Sequence, residues 1–463
     1  MTRNIIAALL IGGLAVSCSP VKEGPENRAL KISENGRFFQ KSNGEPFFWL
    51  GDTGWLLFSK LNREETEEYL ENRRQKGFNV IQVMTVHNVG IANAYGDSAF
   101  YNRNVAKPWI TEGADFQDSL QYDFWDHVDY VVDKAAEKNL FMAMVPVWGS
   151  NVKAGLVSRD EAKAYATFLA KRYGDRSNII WLNGGDVFGS DSLEIWNIIG
   201  ETLRANDPNH LITFHPRGRT MSSTWFHNEE WLDFNMFQSG HRRYDQDTAS
   251  NSHRFGEDNW RYVQVEYNLK PVKPTLDGEP SYEGIPQGLH DPSEPFWTDR
   301  DSRRYGYWSV FAGAAGYTYG HSAVMQMHKP TDQGSAYGSR DYWFDAIDHP
   351  GAGQMIHLKN LMLSRPYFER IPDQFLIANQ GEKYDYIAGT RGNNYAFIYT
   401  YNGRTINVNM GKIDGERVKA SWFDPRTGTT SVLGEFDNQG TLEFDPPGEK
   451  EDGNDWVLIL DTI

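Results

Sequence analysis

Two acidic residues stand in settings that invite chemistry. The run NIIWLNGGDVF (178–188) closes an apolar stretch with Gly184 and Gly185 and then presents Asp186, while LDGEP (276–280) holds Glu279 between a glycine and a proline. Adjacent glycines inside a sheet cost chain entropy and pack nothing, so they fit a strand end that bends to aim the next side chain. A strand-to-helix turn with Asp186 as helix N-cap is the plainer alternative. Pro280 pushes Glu279 into extended geometry, along the direction of a strand. A glutamate on a surface loop is the plainer alternative there. When two carboxyls flank one bond, one can protonate a leaving oxygen while the other attacks an anomeric carbon or activates water, as glycoside hydrolysis requires. The chain holds 62 Asp and Glu, so only the positions of these two carry information.

Position depends on the elements that carry them. FFWLGDTGW (47–55), NVIQVMT (79–85), LFMAMVPVW (140–148), NIIWLNGGD (178–186), LITFHP (211–216), DFNMFQSGH (233–241), KPTLDGEP (273–280) and GYTYGH (316–321) read as strands. Helical patterns fall at 62–77, 123–138, 159–173, 192–205, 257–269, 300–312 and 352–363. Eight successive units of this kind predict an α/β fold, a (β/α)8 barrel over residues 30–369. The connections 88–122 and 322–350 are longer than structureless loops usually are, and both would overhang the C-terminal face as lids or subsite walls. From residue 370 helical periodicity gives way to short strands broken by turn pairs such as Asn402-Gly403 and Asp414-Gly415, which predicts a small antiparallel β-sandwich to residue 463.

Barrel enzymes carry their reacting groups at the C-terminal strand ends. The eight ends offer Asp52 and Trp55, His87 and Asn88, Trp148, Asn183 and Asp186, His215, Gln238 and His241, Asp277 and Glu279, and His321. Asp186 and Glu279 then face each other across the mouth as the catalytic candidates, and the others become candidates for sugar binding. Asp277 shares a strand face with Glu279 but lies deeper, where a supporting role fits better. His215 and His241 occupy positions that a metal-dependent barrel hydrolase would use. Such a site also wants a His-x-His on the first strand, where Gly51-Asp52-Thr53 stands, and neutral imidazoles serve sugar hydroxyls equally well. Neither a metal nor a cofactor is expected.

A formal net charge of −16 argues against nucleic acid as a partner. The 15 Trp, 23 Tyr and 26 Phe supply flat rings suited to sugar faces, although most serve a core. Arg217, Arg219, Arg242 and Arg243 follow adjacent strands and could meet an acidic ligand. The N-terminus MTRNIIAALLIGGLAVSCSP has the layout of an export leader (1–18), and its end resembles a bacterial lipobox in which Cys18, the sole cysteine, would carry lipid. Residues 19–29 then read as a tether. The expectation is an exported protein held by lipid at a bacterial outer membrane, since no later apolar run reaches the ~20 residues of a spanning helix.

GDTGW (51–55), WLNGGD (181–186), WFHNEEWLDFNMFQSGH (225–241), LDGEPSYE (276–283) and HPG (349–351) together resemble glycoside hydrolase family 140. The tail, with SWFDPRTG at 421–428, resembles that family's C-terminal β-sandwich. The resemblance implies activity on apiose-bearing side chains of the pectin rhamnogalacturonan II, so that the partner would be a plant cell-wall polysaccharide. It also implies an acid/base aspartate after the fourth strand, Asp186, and a partner glutamate after the seventh, Glu279. Placement on those strands favours a retaining mechanism. A surface protein that binds glycan or collagen without catalysis is the competing expectation.

Overall fold

The computed structural model describes residues 29–463 apart from Ala249, Asn251 and Ser252. The expected leader, Cys18 and the expected tether up to residue 28 lie outside the described residues. Eight parallel strands form the barrel: β1 (Trp49–Thr53), β2 (Val80–Met84), β3 (Phe141–Val145), β4 (Ile179–Val187), β5 (Ile212–Pro216), β6 (Asn235–Gln238), β7 (Thr275–Asp277) and β8 (Gly316–Tyr319). Parallel ladders run without a break from β5 back to β1 and on through β8 and β7 to β6. The seam between β5 and β6 closes through Asp233 N–H to Ile212 O at 2.8 Å and Thr213 Oγ1 to Phe234 O at 2.6 Å. These strands are buried on both faces, as strands wrapped by helices must be.

The helical layer comprises α1 (Arg63–Gln75), α2 (Phe124–Glu137), α3 (Arg159–Tyr173), α4 (Leu193–Asn206), α5 (Ser223–Phe226), α6 (Trp260–Tyr267), α7 (Asp299–Phe311) and α8 (Pro350–Leu363). Local chemistry sets several of their starts. Asn62 with Glu65, Asp123 with Asp126, and Ser158 with Glu161 each form a capping box that satisfies orphan N–H groups at the first turn. Between β5 and β6 the chain makes a two-residue strand, Thr220–Met221, that pairs antiparallel with β6, and then the single turn α5. Before β1, three short antiparallel strands (Leu30–Ile32, Phe39–Lys41 and Pro46–Phe47) cover the base of the barrel, with Phe39 packed edge-on against Phe234 at 5.0 Å.

The tail is an antiparallel β-sandwich. One sheet has the order β9 (Ile371–Pro372), β10 (Ile387–Arg391), β11 (Tyr395–Thr400), β16 (Trp456–Thr462), β13 (Arg417–Phe423), β14 (Thr430–Asp437), and β12 (Ile406–Asn409) pairs with β15 (Thr441–Phe444) opposite it. Ile387, Ile398, Val408, Trp422, Phe444 and Leu458 fill the space between them. The sandwich docks on α7, where Arg303 makes a bidentate pair with buried Asp455 at 2.9 Å and Tyr307 stacks on Tyr399 at 4.7 Å. Among the described residues no helix is long and apolar enough to cross a membrane.

Candidate active site

The paired glycines of β4 have a geometric cause. Gly184 (φ 91°), Gly185 (φ 108°) and Asp186 (φ 52°) form a left-handed run, and the ladder to β5 skips from Gly184 to Val187. A Cβ on Gly185 would sit 2.5 Å from the Trp148 ring, and one on Gly184 would sit 2.6 Å from Phe214. Glycine alone tolerates both the dihedrals and the approach. The bulge swings the Asp186 side chain into the open mouth, where it is exposed to solvent.

Glu279 stands at the end of β7 and is buried. His241 Nε2 lies 3.1 Å from its Oε1, and His215 Nε2 lies 3.2 Å from its Oε2. The Tyr282 backbone N–H points at His241 Nδ1 from 3.4 Å, which places the proton of the neutral ring on Nε2, facing the carboxylate. Tyr282 also brings its hydroxyl to Glu279, and it accepts a hydrogen bond from Trp55 Nε1 at 3.0 Å. The rings of Trp55 and Trp148 flank His215 at 5.2 and 5.8 Å, making an aromatic wall beside the carboxylate.

These surroundings drive the two acids apart. Burial alone would raise Glu279, but the hydrogen bonds from His215 and His241 outweigh it and hold the carboxyl down at about 2. Asp186 is pushed up to about 6, first by loss of hydration inside the concave mouth and then by the negative charge of Glu279. His215, Arg217 and the Gly218 N–H temper that rise. Across neutral pH the site therefore holds one firmly ionised carboxylate and one carboxyl that keeps a share of its proton. Such a split suits one group to attack and the other to acid/base work.

Several sequence expectations land elsewhere. Asp52 is fully buried on the helix side of β1, where it accepts from Tyr69 Oη at 2.6 Å beside Arg73 at 3.5 Å, so it cannot meet substrate. Asn183 likewise points outward and donates to Trp196 O at 2.7 Å. Both follow from strand alternation, which turns every second residue away from the barrel interior. Asp277 is fully buried, accepting from Ser239 Oγ at 2.6 Å and Asn259 Nδ2 at 3.0 Å. It ties β6 to β7 just below the points where His241 and Glu279 branch off, and burial raises its carboxyl to about 6. Gln238 is buried with its Oε1 lacking a protein partner. His87, Asn88 and Arg217 are exposed at strand ends.

Of the four loop arginines, Arg219 pairs with Asp247 and Arg243 with Glu294 and Asp245, whereas Arg242 donates to Gln246 O and Arg217 rests over the Phe188 ring. His321 is buried, with its Nε2 3.0 Å from His349 Nδ1. His321, Asp341 and His349 are, among the described residues, the one group that brings three potential metal ligands together. However, the Ala323 N–H occupies His321 Nδ1 at 3.1 Å, which puts the neutral ring's proton on Nε2, between the two rings. The geometry is that of a hydrogen-bonded histidine pair. His215 and His241, the candidates for a metal hydrolase, both address Glu279 instead.

Residues 33–369 match the family model described as the apiosidase-like catalytic domain. The chain belongs to the apiosidase-like family. Residues 371–461 match a second model, described as a collagen-binding domain of a collagenase. A solved structure named as a glycoside hydrolase shares 48% identity with a TM-score of 0.89, covering 94% of this chain and 97% of its own. A glycoside hydrolase family 5 structure from Bacteroides vulgatus shares 44% identity, again with a TM-score of 0.89, covering 94% of each chain. A further Bacteroides vulgatus structure, at 13% identity and a TM-score of 0.64, covers 95% of this chain and 84% of its own and shares the fold. No curated protein matches. The apiosidase-like chain is accordingly a glycosidase with a TIM-type barrel.

Two further residues carry no signal in the sequence. Tyr282 sits within LDGEPSYE, but nothing in its spacing says that the turn after Pro280 returns its ring to Trp55 and Glu279. Tyr337 lies in the long connection after β8, where neither periodicity nor a motif marks it. Burial pushes the pKa of its hydroxyl up, and the negative charges of Asp186 and Glu279 add to that rise.

Proposed function

We propose that this glycosidase cleaves the linkage between apiose and galacturonate in side chains of rhamnogalacturonan II, with Asp186 as general acid/base and Glu279 as nucleophile. One observation carries the mechanism: two imidazoles hold Glu279 ionised while Asp186, in the same mouth, is raised to about 6. The substrate rests on the apiosidase-like family and on the resemblance of the five motifs to glycoside hydrolase family 140. Glu279 attacks the anomeric carbon as Asp186 protonates the departing oxygen. Asp186 then removes a proton from the water that frees the sugar, with net retention. His215 and His241 keep the nucleophile charged, and Trp55 and Trp148 offer faces to the sugar ring. Exposed Arg217, whose charge acts on Asp186, suits a uronate carboxylate.

The test is incubation of the protein with rhamnogalacturonan II or its apiose-bearing fragments, with proton NMR of the first-formed anomer. Release of oligosaccharide with retained configuration is expected. Binding without release would favour a non-catalytic glycan binder, and the inverted anomer would replace nucleophilic attack with base catalysis. The domain limits we propose are 30–369 for the barrel and 370–463 for the sandwich. The leader is proposed to direct export, with lipid on Cys18 as the only membrane attachment. Cys18→Ala should move the protein out of the membrane fraction, and unchanged fractionation would defeat that reading.

A further inference from the structure

The connection from β2 to α2 leaves the C-terminal face of the barrel and folds into a hairpin that the proposed reaction does not use. Phe100 and Pro108 bridge its two arms, Tyr101 N–H donates to Lys107 O at 2.9 Å, and Trp109 N–H donates to Ala99 O at 3.0 Å. Phe100 turns inward, where it is buried against the rings of Trp125 at 5.8 Å and Tyr165 at 5.2 Å. Trp125 Nε1 donates to Ala99 O at 2.9 Å, and Val105 is buried at the tip. The hairpin is therefore anchored. Tyr165 Oη in turn donates at 2.9 Å to Pro146 O, just before Trp148 in the wall of the mouth.

The residues that flank the bridging pair turn the other way. Tyr101 is 53% exposed and Trp109 46%, and their rings lie 5.1 Å apart at 54°. Lys107, opposite Tyr101 across the hairpin, is exposed as well. Arg103 is exposed near the tip with a left-handed φ of 58°, and its Nε stands 3.0 Å from where a Cβ on Gly90 would lie, close to Asn88 at the end of β2. Among the described residues neither Lys107 nor Arg103 has an ion-pair partner. The acids of the same connection are engaged elsewhere. Asp97 accepts from Asn93 Nδ2 at 3.0 Å, Asp115 from the Gln117 N–H at 2.9 Å and Asp118 from the Leu120 N–H at 3.0 Å. Glu112 follows the point where the Thr111 N–H ties the chain to Asp123 at 2.7 Å.

Two large rings held out in water by a buried anchor mark an interaction site. Flat apolar faces with polar edges fit the face of a sugar ring, and two cations without partners in a chain of net charge −16 fit a carboxylate. We infer that this hairpin is a second carbohydrate-binding site, at which Tyr101 and Trp109 stack on a sugar and Lys107 and Arg103 bind the carboxylate of a uronate. The inference deepens the proposed function and rests on its uronate-bearing substrate. The site holds a stretch of acidic polysaccharide and takes no part in bond cleavage.

Electrophoresis of the native protein through gels containing polygalacturonate, with dextran as the neutral control, tests this. Wild type should be retarded by polygalacturonate and not by dextran, and the retardation should shrink as salt screens the charges. Trp109→Ala should weaken the affinity read from the retardation about tenfold, the loss of one stacked ring. Lys107→Gln combined with Arg103→Gln should weaken it too and flatten its salt dependence. That pair removes charge without removing a ring, so it remains decisive if Trp109→Ala disturbs the hairpin. A wild type that runs freely through polygalacturonate, or variants retarded as strongly as wild type, would overturn the site. Equal retardation by dextran would overturn the uronate. If the wild type releases nothing from rhamnogalacturonan II while these substitutions abolish its retardation, the proposed reaction falls and this site stands; release without retardation gives the reverse.

Discussion

At the residue scale, the division of labour between two carboxyls is set by what each faces. Glu279 is buried and would on that ground hold its proton, yet the His241 and His215 Nε2 atoms, 3.1 and 3.2 Å from its two oxygens, keep it ionised to about 2. Asp186 has no such donors from side chains and keeps its proton to about 6. The signs give a pH profile. Asp186 acts as an acid only while protonated, so kcat/KM should fall as pH rises past about 6, and Glu279 acts only as a carboxylate, so the acid limb should lie far lower. Replacing His241 by Phe removes one donor and should carry the acid limb upward toward an ordinary glutamate value. An acid limb that stays in place would deny His241 its role. Asp186→Asn and Glu279→Gln keep shape but remove the proton or the charge, and each should cost turnover on the order of 10³-fold or more. Near wild-type turnover in Glu279→Gln would overturn the assignment.

At the element scale, the strand order and helix starts were legible because they rest on local signals. A charged helix over 62–77 becomes Arg63–Gln75 with Asn62 as its cap, and the pattern at 159–173 is realised as Arg159–Tyr173. The two glycines before Asp186 were also readable as a bend. What the sequence could not show was which way each strand-end side chain turns. Asp52 and Asn183 sit at strand ends as expected, yet alternation aims them into the helix layer. Tyr282 reaches the centre through a loop path that no periodicity encodes. The β4 bulge permits a sharper test. Gly185→Ala places a methyl group in the Trp148 ring and a Cβ at φ 108°, so strand, ring or both must shift. A displacement of about 1 Å at a reacting group costs about 10²-fold in rate. Gly185→Ala should therefore lower kcat by that order while the folded state survives. Full activity in this variant would mean that the bulge does not aim Asp186.

At the scale of the whole molecule, the sandwich is fastened to the barrel through buried charge as well as apolar surface. Arg303 of α7 and Asp455 beside β16 form a bidentate pair, both buried, with Tyr399 Oη adding a 3.2 Å hydrogen bond to Asp455. Around it, Trp260 stacks flat on Tyr386 at 4.1 Å, and Arg304 pairs with Glu257, which also accepts from Tyr384. Barrel and sandwich should therefore unfold as one cooperative unit in urea. Two resolved transitions would show that they do not. Removing one partner of a buried pair strands the other charge, so Asp455→Ala should destabilise the protein by about 3 to 5 kcal/mol. Replacing both by apolar groups of similar volume, Arg303→Met with Asp455→Leu, should recover much of that loss, because the desolvation penalty disappears along with the attraction. Arg303 also donates to Asp299 and Gln354, both at 2.6 Å, so recovery should stop short of wild type. If Asp455→Ala left the urea midpoint unchanged, the pair would not be what joins the two domains, and the stacked rings at the same interface would have to hold it alone.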